Sequence, residues 1–353
     1  MAFILACFFA VSCTSEDRPE PTFETPVGGD YANGIFILNE GGFGSLNASV
    51  SFLDNDGQVY SSIYKGVSSK DLGDVAQSMS FNGNNAYILV NNSSTVEVVD
   101  RNTFEPIATV TDKIVNPRYI GFSSNKGYIT NWGDPNNPND DYVAVLNLDA
   151  NLVEAKVSVV EGPEKLLISN GKIYIAHQGG YRYGNTISVI DIATANVTAN
   201  IQVADVPSGM VIDSGSLYIM CSGKASFTQD ETLAKIFKIN LSDLSIETVL
   251  TFPQGEHPSS LEFENNALYF TNKSSVFTID TNDFKLPQNA LFDASADGVQ
   301  ILYGFDVNDN KIYIADAKDY VSNGEAFIYG INGQLQQRFR VQIIPNSFYF
   351  QNN

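Results

Sequence analysis

Two histidines are the side chains of this sequence best suited to metal binding or acid–base chemistry. His177 and His257 are the chain's two histidines and are 80 residues apart. Neither belongs to an HExxH pair, and no serine, histidine and aspartate have spacings that indicate a nucleophilic triad. A metal-dependent lyase or lactonase would need both histidines to hold one divalent ion across a channel. We predict no catalytic residue and expect two loop histidines with satisfied hydrogen bonds, with the lyase or lactonase as an alternative.

An acidic insertion, GDPNNPNDD (133–141), is a second possible metal-binding segment. Asp134, Asp140 and Asp141 offer oxygen ligands of the kind that Ca²⁺ prefers, but their spacing is not that of a known calcium loop. We expect a solvated loop and predict neither a metal site nor a cofactor, with Ca²⁺ as the alternative. Cys221 follows a strand end without a redox or metal motif, which favours a packed thiol.

Aromatic and arginine side chains in loops indicate recognition rather than reaction. Such side chains, set among Asn, Gly and Ser, are typical of binding surfaces. The candidate ligand-binding residues all lie near strand ends and are Glu40, Phe43, Arg118, Tyr119, Trp132, His177, Tyr181, Arg182, Tyr183, Phe227, His257, Tyr303 and Tyr320. For any single one of them, packing against a neighbouring loop is the alternative.

A repeated strand pattern must position these loops. Its aromatic anchor recurs at Phe36, Tyr87, Tyr128, Tyr174, Tyr218, Tyr269 and Tyr313. The six intervals cover 277 residues and average about 46, which is typical of propeller blades. A proline stands 11 residues before four of the anchors, at Pro117, Pro163, Pro207 and Pro258. The fixed offset indicates a hairpin of fixed register, with proline at the first residue of a strand.

The two ends of the chain complete the count of blades. Each repeat continues with two further β-rich runs, so that it holds four strands. PNSFYF (345–350) is a first strand without a second, and IFILN (35–39) is a second strand without a first. We therefore predict an all-β fold, a seven-bladed β-propeller of four-stranded blades whose ring closes by pairing of 345–350 with 35–39. The loops after second and fourth strands share one face of a propeller, so the candidate residues should meet around the channel.

The N-terminus predicts export and lipid anchoring. MAFILACFFAVSC is apolar, uncharged and ends on Cys13, like a bacterial lipoprotein signal peptide. We assign residues 1–12 to the signal peptide, 13–32 to an acidic, Pro-rich tether with Cys13 as the lipidated residue, and 33–353 to the propeller. A short buried strand is the alternative for the apolar segment. The acidic residues after Cys13 resemble surface-export signals of Bacteroidota lipoproteins, which implies an outer-membrane, lipid-anchored protein exposed at the cell surface, with a periplasmic orientation as the alternative.

Charge excludes one class of partner. The chain has 20 Lys and Arg against 40 Asp and Glu, a net charge of −20. Such a surface repels phosphate backbones, so we predict no nucleic-acid binding. No internal apolar run approaches the length of a membrane span, which leaves the lipid as the membrane contact.

Three segments carry a resemblance to a known family. FILNEGGFGSLNASVSFLD, DLGDVAQSMSFNGNNAYILVNNSSTVEVVD and GKIYIAHQGGY with the later NTISVIDI resemble the YncE-like propeller lipoproteins of Bacteroidota, from about residue 33 to the end. The resemblance is closest in character to the BtuG type, which captures cobalamin for a TonB-dependent outer-membrane transporter. The first-blade aromatic, often Trp in that pattern, is Phe43 here, preceded by Gly42.

The resemblance and the residues lead to one main hypothesis and three alternatives. The hypothesis is a monomeric, non-enzymatic surface lipoprotein that captures cobalamin, a related corrinoid or another nutrient molecule for a TonB-dependent transporter. A glycan-binding accessory lipoprotein would use Trp132 and Tyr183 to stack on sugars. A protein-interaction propeller would have no small-molecule pocket, and the metal-dependent lyase or lactonase is the third alternative.

Overall fold

The computed structural model describes residues 30–351. Within them, 28 strands form seven four-stranded antiparallel sheets. The predicted signal peptide, Cys13 and most of the predicted tether lie outside the described residues. The predicted seven-bladed propeller is confirmed.

The blades follow one another along the chain. Blade 1 contains β1 (Gly34–Asn39), β2 (Ser49–Asp54) and β3 (Val59–Tyr60). Blade 2 contains β4 (Ala76–Asn82), β5 (Asn85–Val90), β6 (Thr95–Asp100) and β7 (Pro106–Val110). Blade 3 contains β8 (Pro117–Ser123), β9 (Lys126–Asn131), β10 (Tyr142–Asn147) and β11 (Leu152–Ser158). Blade 4 contains β12 (Pro163–Ser169), β13 (Lys172–His177), β14 (Thr186–Asp191) and β15 (Asn196–Gln202).

The remaining blades repeat this order. Blade 5 contains β16 (Pro207–Asp213), β17 (Ser216–Cys221), β18 (Lys235–Asn240) and β19 (Ile246–Thr251). Blade 6 contains β20 (Ser259–Glu264), β21 (Ala267–Asn272), β22 (Ser275–Asp280) and β23 (Phe292–Asp293). Blade 7 contains β24 (Leu302–Asn308), β25 (Lys311–Asp316), β26 (Asn323–Gly330) and β27 (Leu335–Ile343). The last strand, β28 (Pro345–Phe350), is the inner strand of blade 1. One α-helix, α1 (Ile63–Ser68), and two 3₁₀ turns, Ser226–Thr228 and Ala294–Asp297, complete the described elements.

The ring closes as predicted from the sequence. β28 pairs antiparallel with β1, with Ile35 opposite Phe350 and Ile37 opposite Phe348. Just beyond β28, the Gln351 amide nitrogen donates to the carbonyl of Tyr31 at 2.7 Å, which fastens the last described residue beside the first strand. Closure by the two ends of the chain leaves blade 1 without an unpaired inner edge.

The core lies between the blades. The buried apolar residues of the described chain form seven clusters, one at each interface between neighbouring blades. The predicted aromatic anchors are part of them, as shown by Tyr87 and Tyr174, which are almost completely buried. Because each interface buries apolar side chains from two blades, no blade buries its faces without its neighbours.

An extra residue follows the start of every inner strand. The pairing register shifts by one residue near the beginning of β4, β8, β12, β16, β20, β24 and β28. Such β-bulges re-aim side chains. Here they place polar residues at the mouth of the channel, among them Arg118, Glu164 and Tyr303.

Among the described helices, none has the length and apolar character needed to cross a membrane.

Candidate functional site

The loops after the second and fourth strands share one face, which we call the upper face. The first residue of an inner strand is paired with the last residue of the next strand, as Pro163 is with His177. The loops are also joined by backbone bonds: the amides of Trp132 and Ser222 donate to the carbonyls of Asn116 and Val206 at 3.1 and 2.8 Å. The two carbonyl residues have φ of 49° and 58°. Val206 is β-branched, so its left-handed backbone is costly and must be held by these contacts.

The exposed aromatic side chains of the described residues all lie on the upper face. They are Phe43 (80% exposed), Tyr181 (53%), Tyr183 (52%), Phe227 (82%), Tyr303 (40%) and Tyr320 (44%). The loop that carries Phe43 is anchored next to that residue, because the amide of Gly44 donates to both carboxylate oxygens of the buried Asp74, at 2.9 and 3.1 Å. Concentration of exposed aromatics on one side of a protein is typical of a binding surface.

A buried ion pair lies at the mouth of the channel between blades 3 and 4. Arg118 donates through Nε and Nη2 to the two carboxylate oxygens of Glu164, at 2.9 and 2.7 Å. The two side chains are 12% and 5% exposed. The guanidinium carbon lies 3.8 Å from the ring centroid of Trp132, whose indole N–H donates to the carbonyl of Pro163. Tyr181 meets Trp132 edge to face at 5.5 Å. The side chains of Arg118 and Trp132 are thus fixed by these contacts and form a rigid surface at the channel mouth.

A second cluster joins blades 1 and 7. The hydroxyl of Tyr303 donates to Glu40 at 2.8 Å, and the ring of Tyr303 meets that of Tyr320 edge to face at 5.7 Å. Burial raises the pKa of the Glu40 carboxyl, while the Tyr303 hydrogen bond and the charge of Arg118 oppose that rise. The influence of Arg118 on Glu40 places both clusters at one channel mouth.

The other candidate residues have different surroundings. Arg182 lies in an exposed loop and donates to Glu161 at 2.7 Å. Tyr119 faces the channel below the mouth, where burial raises the pKa of its hydroxyl. The structure thus brings Glu40, Arg118, Trp132 and Tyr303 together, with the exposed aromatics around them.

The two histidines do not share a site. His177 is 1% exposed, and its Nδ1 lies 3.3 Å from the carbonyl of Glu161. Burial lowers the pKa of His177 to about 4. His257 lies in the next interface but one, where its Nδ1 donates to the carbonyl of Ser222 at 2.8 Å and its Nε2 lies 3.3 Å from Glu231. His177 is the last residue of β13, and its buried Nε2 has no hydrogen-bond partner among the described residues, so the expectation of a loop histidine with satisfied hydrogen bonds is wrong for His177.

The acidic insertion is organised by its own hydrogen bonds. The carboxylate of Asp140 accepts the amide of Asp134, and the buried Asp141 accepts the amide of Gly162 at 2.6 Å. Burial raises the pKa of Asp141 to about 6. Within residues 30–351, no three His, Cys, Asp or Glu side chains are grouped to hold a metal ion.

Sequence reasoning missed the polar residues that line the channel. Glu164, Lys165, Glu262 and Asp306 lie on the inner strands of blades 4, 6 and 7. The available signal was spacing: Glu164 follows Arg118 by 46 residues, about one repeat, so the two occupy equivalent places in adjacent blades. The predicted strand pattern did not show which residues the bulges turn toward the channel.

The comparisons agree with this architecture. A family model described as "Domain of unknown function (DUF5074)" matches residues 33–330. A comparison with curated proteins found no match.

Three similar solved structures illustrate the fold. A quinonprotein alcohol dehydrogenase-like protein from Bacteroides thetaiotaomicron is 13% identical, with a TM-score of 0.67 over 92% of this chain and 79% of that chain. A functionally unknown protein from Desulfotomaculum acetoxidans is 11% identical, with a TM-score of 0.64 over 90% and 98%. BamB from Moraxella catarrhalis is 14% identical, with a TM-score of 0.52 over 90% and 85%. At these identities the similarity shows the fold alone.

Proposed function

This chain belongs to the DUF5074 family, and we propose that it is a non-enzymatic ligand-capture propeller whose upper face binds a corrinoid such as cobalamin. The observation that carries the proposal is the placement of every exposed aromatic side chain of residues 30–351 on that face. A large, rigid ligand with an amide fringe needs broad apolar contact and many small polar groups around it. The YncE-like resemblance points to the same class of ligand.

Rigidity of the face supports capture without reaction. Trp132 is fixed by Arg118 on one side and by its bond to Pro163, and Tyr303 is fixed by Glu40. A surface organised before the ligand arrives loses little side-chain entropy on binding. The proposal includes a lipid on Cys13, an outer-membrane location facing the outside, and delivery to a TonB-dependent transporter.

Titration with cyanocobalamin tests the proposal. The chain from residue 14 onward is titrated by calorimetry, and retention of the coloured ligand is followed by gel filtration. We expect uptake at one ligand per chain, weakened about tenfold by Tyr183→Ala or Phe227→Ala, which is about 1.4 kcal/mol each. The matched control is Ile107→Ala, which removes a 49% exposed apolar side chain from the outer strand of blade 2 and should leave affinity unchanged.

The alternatives give different results. Absence of binding at tens of micromolar, or equal weakening by the Ile107 control, would refute corrinoid capture on this face. Binding of sugars without corrinoid binding would identify a glycan-binding protein. Co-purification of a protein partner without small-molecule binding would identify an interaction propeller, and a chelator-sensitive activity would identify a metal-dependent enzyme.

Location and partner need separate measurements. Mass spectrometry of the N-terminal peptide tests the acyl group on Cys13. Loss of the protein when intact cells are treated with protease tests exposure to the outside. Co-purification with an outer-membrane transporter tests the partner. Survival of the protein in protease-treated intact cells would support the periplasmic orientation instead.

A further inference from the structure

A polar cavity fills the channel below the upper face. Its volume is about 300 Å³, and its walls come from all seven inner strands. The residues that matter for its chemistry are Tyr119, Lys165, Ser208, Ser260, Asp306 and Asn346. A concave space of this size with converging polar groups is suited to a small ligand group.

The charged groups around this channel cavity do not balance. Arg118 is held by Glu164 in the bidentate pair described above. The Lys165 ammonium lies 3.6 Å from Glu262, which is on the inner strand of blade 6. Each cation is therefore assigned to one carboxylate, and Asp306 is left without a cation of its own. Asp306 is partly buried, and a carboxylate in such a place without a cation is unfavourable because the protein replaces only part of its hydration.

The surroundings of Asp306 reflect this imbalance. Its carboxylate accepts the amide of Phe348 at 2.9 Å. Burial and the charge of Glu262 raise its pKa well above the usual range, against that hydrogen bond and Lys165. Tyr313 and Tyr349 are two further titratable groups whose charges would act on Asp306. Its protein surroundings favour the protonated acid, whereas a cation in the cavity would favour the carboxylate.

A second acceptor in the same wall has no partner. The side-chain nitrogen of Asn346 donates to the carbonyls of Ala76 and Gln77, at 3.1 and 3.2 Å. Its Oδ1 is buried and accepts no hydrogen bond within the described chain. Because a buried carbonyl without a donor is costly, a ligand with N–H donors would gain from meeting it.

We propose that the channel cavity is a binding site for an organic ammonium group, with Asp306 as its ionic partner and Asn346 Oδ1 and the serine hydroxyls as further acceptors. The site goes beyond the proposed corrinoid capture and does not depend on it, because its lining comes from the inner strands and includes none of the exposed aromatics except Tyr303, which borders both. An ammonium has three donors and one positive charge, which match the unassigned acid and the unpaired carbonyl. A carboxylate or phosphate would instead face the negative charges of Asp306 and Glu262.

Calorimetry with cyclohexylammonium chloride tests the site in the chain from residue 14 onward. Cyclohexanol and cyclohexanecarboxylate are probes of similar shape without the positive charge. We expect millimolar or tighter binding of the ammonium at pH 7.5 and at least tenfold weaker binding of both other probes. The measured enthalpy should differ between phosphate and barbital buffers, neither of which contains an ammonium group, because Asp306 releases a proton when the ammonium binds.

Two substitutions should act in opposite directions. Asp306→Asn keeps an oxygen for the Phe348 amide but removes the charge, and should weaken ammonium binding at least tenfold. Lys165→Met removes the competing cation and should tighten binding at least threefold. Equal binding of the alcohol and the ammonium, or full affinity in Asp306→Asn, would overturn the proposal, as would weaker binding in Lys165→Met.

Tyr183→Ala separates the two proposals. It should leave ammonium affinity unchanged while it lowers corrinoid affinity. Failure of the corrinoid titration with normal ammonium binding would remove the proposed function alone, and the reverse result would remove the channel site alone. Unfolding curves for each variant show whether the fold is retained.

Discussion

Arg118→Met should destabilise the propeller through the charge that it leaves behind. Glu164 is 5% exposed and receives two charge-assisted hydrogen bonds from Arg118. Removal of one partner of a buried pair costs about 3–5 kcal/mol, because the other charge stays buried without compensation. Loss of the guanidinium over Trp132 adds about 0.5–2 kcal/mol. We therefore expect the free energy of unfolding to fall by about 4 kcal/mol.

A variant with both members of the ion pair replaced separates the effect of charge from the effect of packing. Arg118→Met with Glu164→Gln removes both charges, so we expect it to recover at least about 2 kcal/mol relative to Arg118→Met alone. Arg118→Lys keeps the charge but not the two-pronged geometry, and should lie between Arg118→Met and the native chain. Urea denaturation measures each free energy, with far-UV circular dichroism alongside the fluorescence of Trp132, the chain's single tryptophan. Coincident transitions by the two probes justify the free energies.

Two outcomes would contradict the electrostatic role of the Arg118–Glu164 pair. A loss below about 1 kcal/mol in Arg118→Met would mean that Glu164 is as well solvated without its partner as with it. A double variant no more stable than Arg118→Met would mean that the loss came from packing on Trp132 and not from charge. Either result would remove the electrostatic account of the channel mouth.

Three further expectations concern stability. Burial raises the pKa of the Asp141 carboxyl to about 6, so the ionised carboxylate destabilises the folded state at pH 8, whereas the protonated acid at pH 4 does not. Asp141→Asn should therefore stabilise the protein by on the order of 2 kcal/mol at pH 8 and have little effect at pH 4. Urea titrations at both pH values check this. His177 should have the opposite dependence on pH, because burial lowers its pKa to about 4 and protonation therefore favours the unfolded chain. The free energy of unfolding should fall by up to about 3 kcal/mol between pH 6.5 and pH 4. His177→Gln should reduce this fall in the same urea titration. A chain ending at residue 344 should melt at lower temperature and associate through the exposed edge of β1, and a peptide of residues 345–351 should restore the melting temperature in calorimetry; an unchanged temperature would contradict closure by β28.

The blades were predictable because they rest on local sequence. The spacing of anchors such as Tyr174 and Tyr218 indicates the register of each hairpin, and this register is determined by residues close together in the sequence. The incomplete repeats at the two ends give the number of blades and the closing pair. The upper face followed as well, since strand order alone decides which loops share a side.

The channel mouth was only partly predictable, because it depends on contacts between blades. Arg118 and Trp132 were expected to bind ligand, yet in the structure they bind each other and Glu164. His177 was placed among the loops, but as the last residue of its strand its side chain turns into the blade interface. Which residues of an inner strand face the channel depends on the bulge, and no residue type marks it.

Closure of the ring by β28 sets the order in which the molecule can be completed. The strand that fills the inner position of blade 1 is synthesised after the other 27 described strands, while its partner β1 is the first of them. Six blades can form from consecutive segments, but blade 1 must wait for a contact that spans almost the whole chain, and such long-range pairing is slow. If the chain is exported N-terminus first, the ring stays open during passage, and pairing of β28 with β1 then closes it.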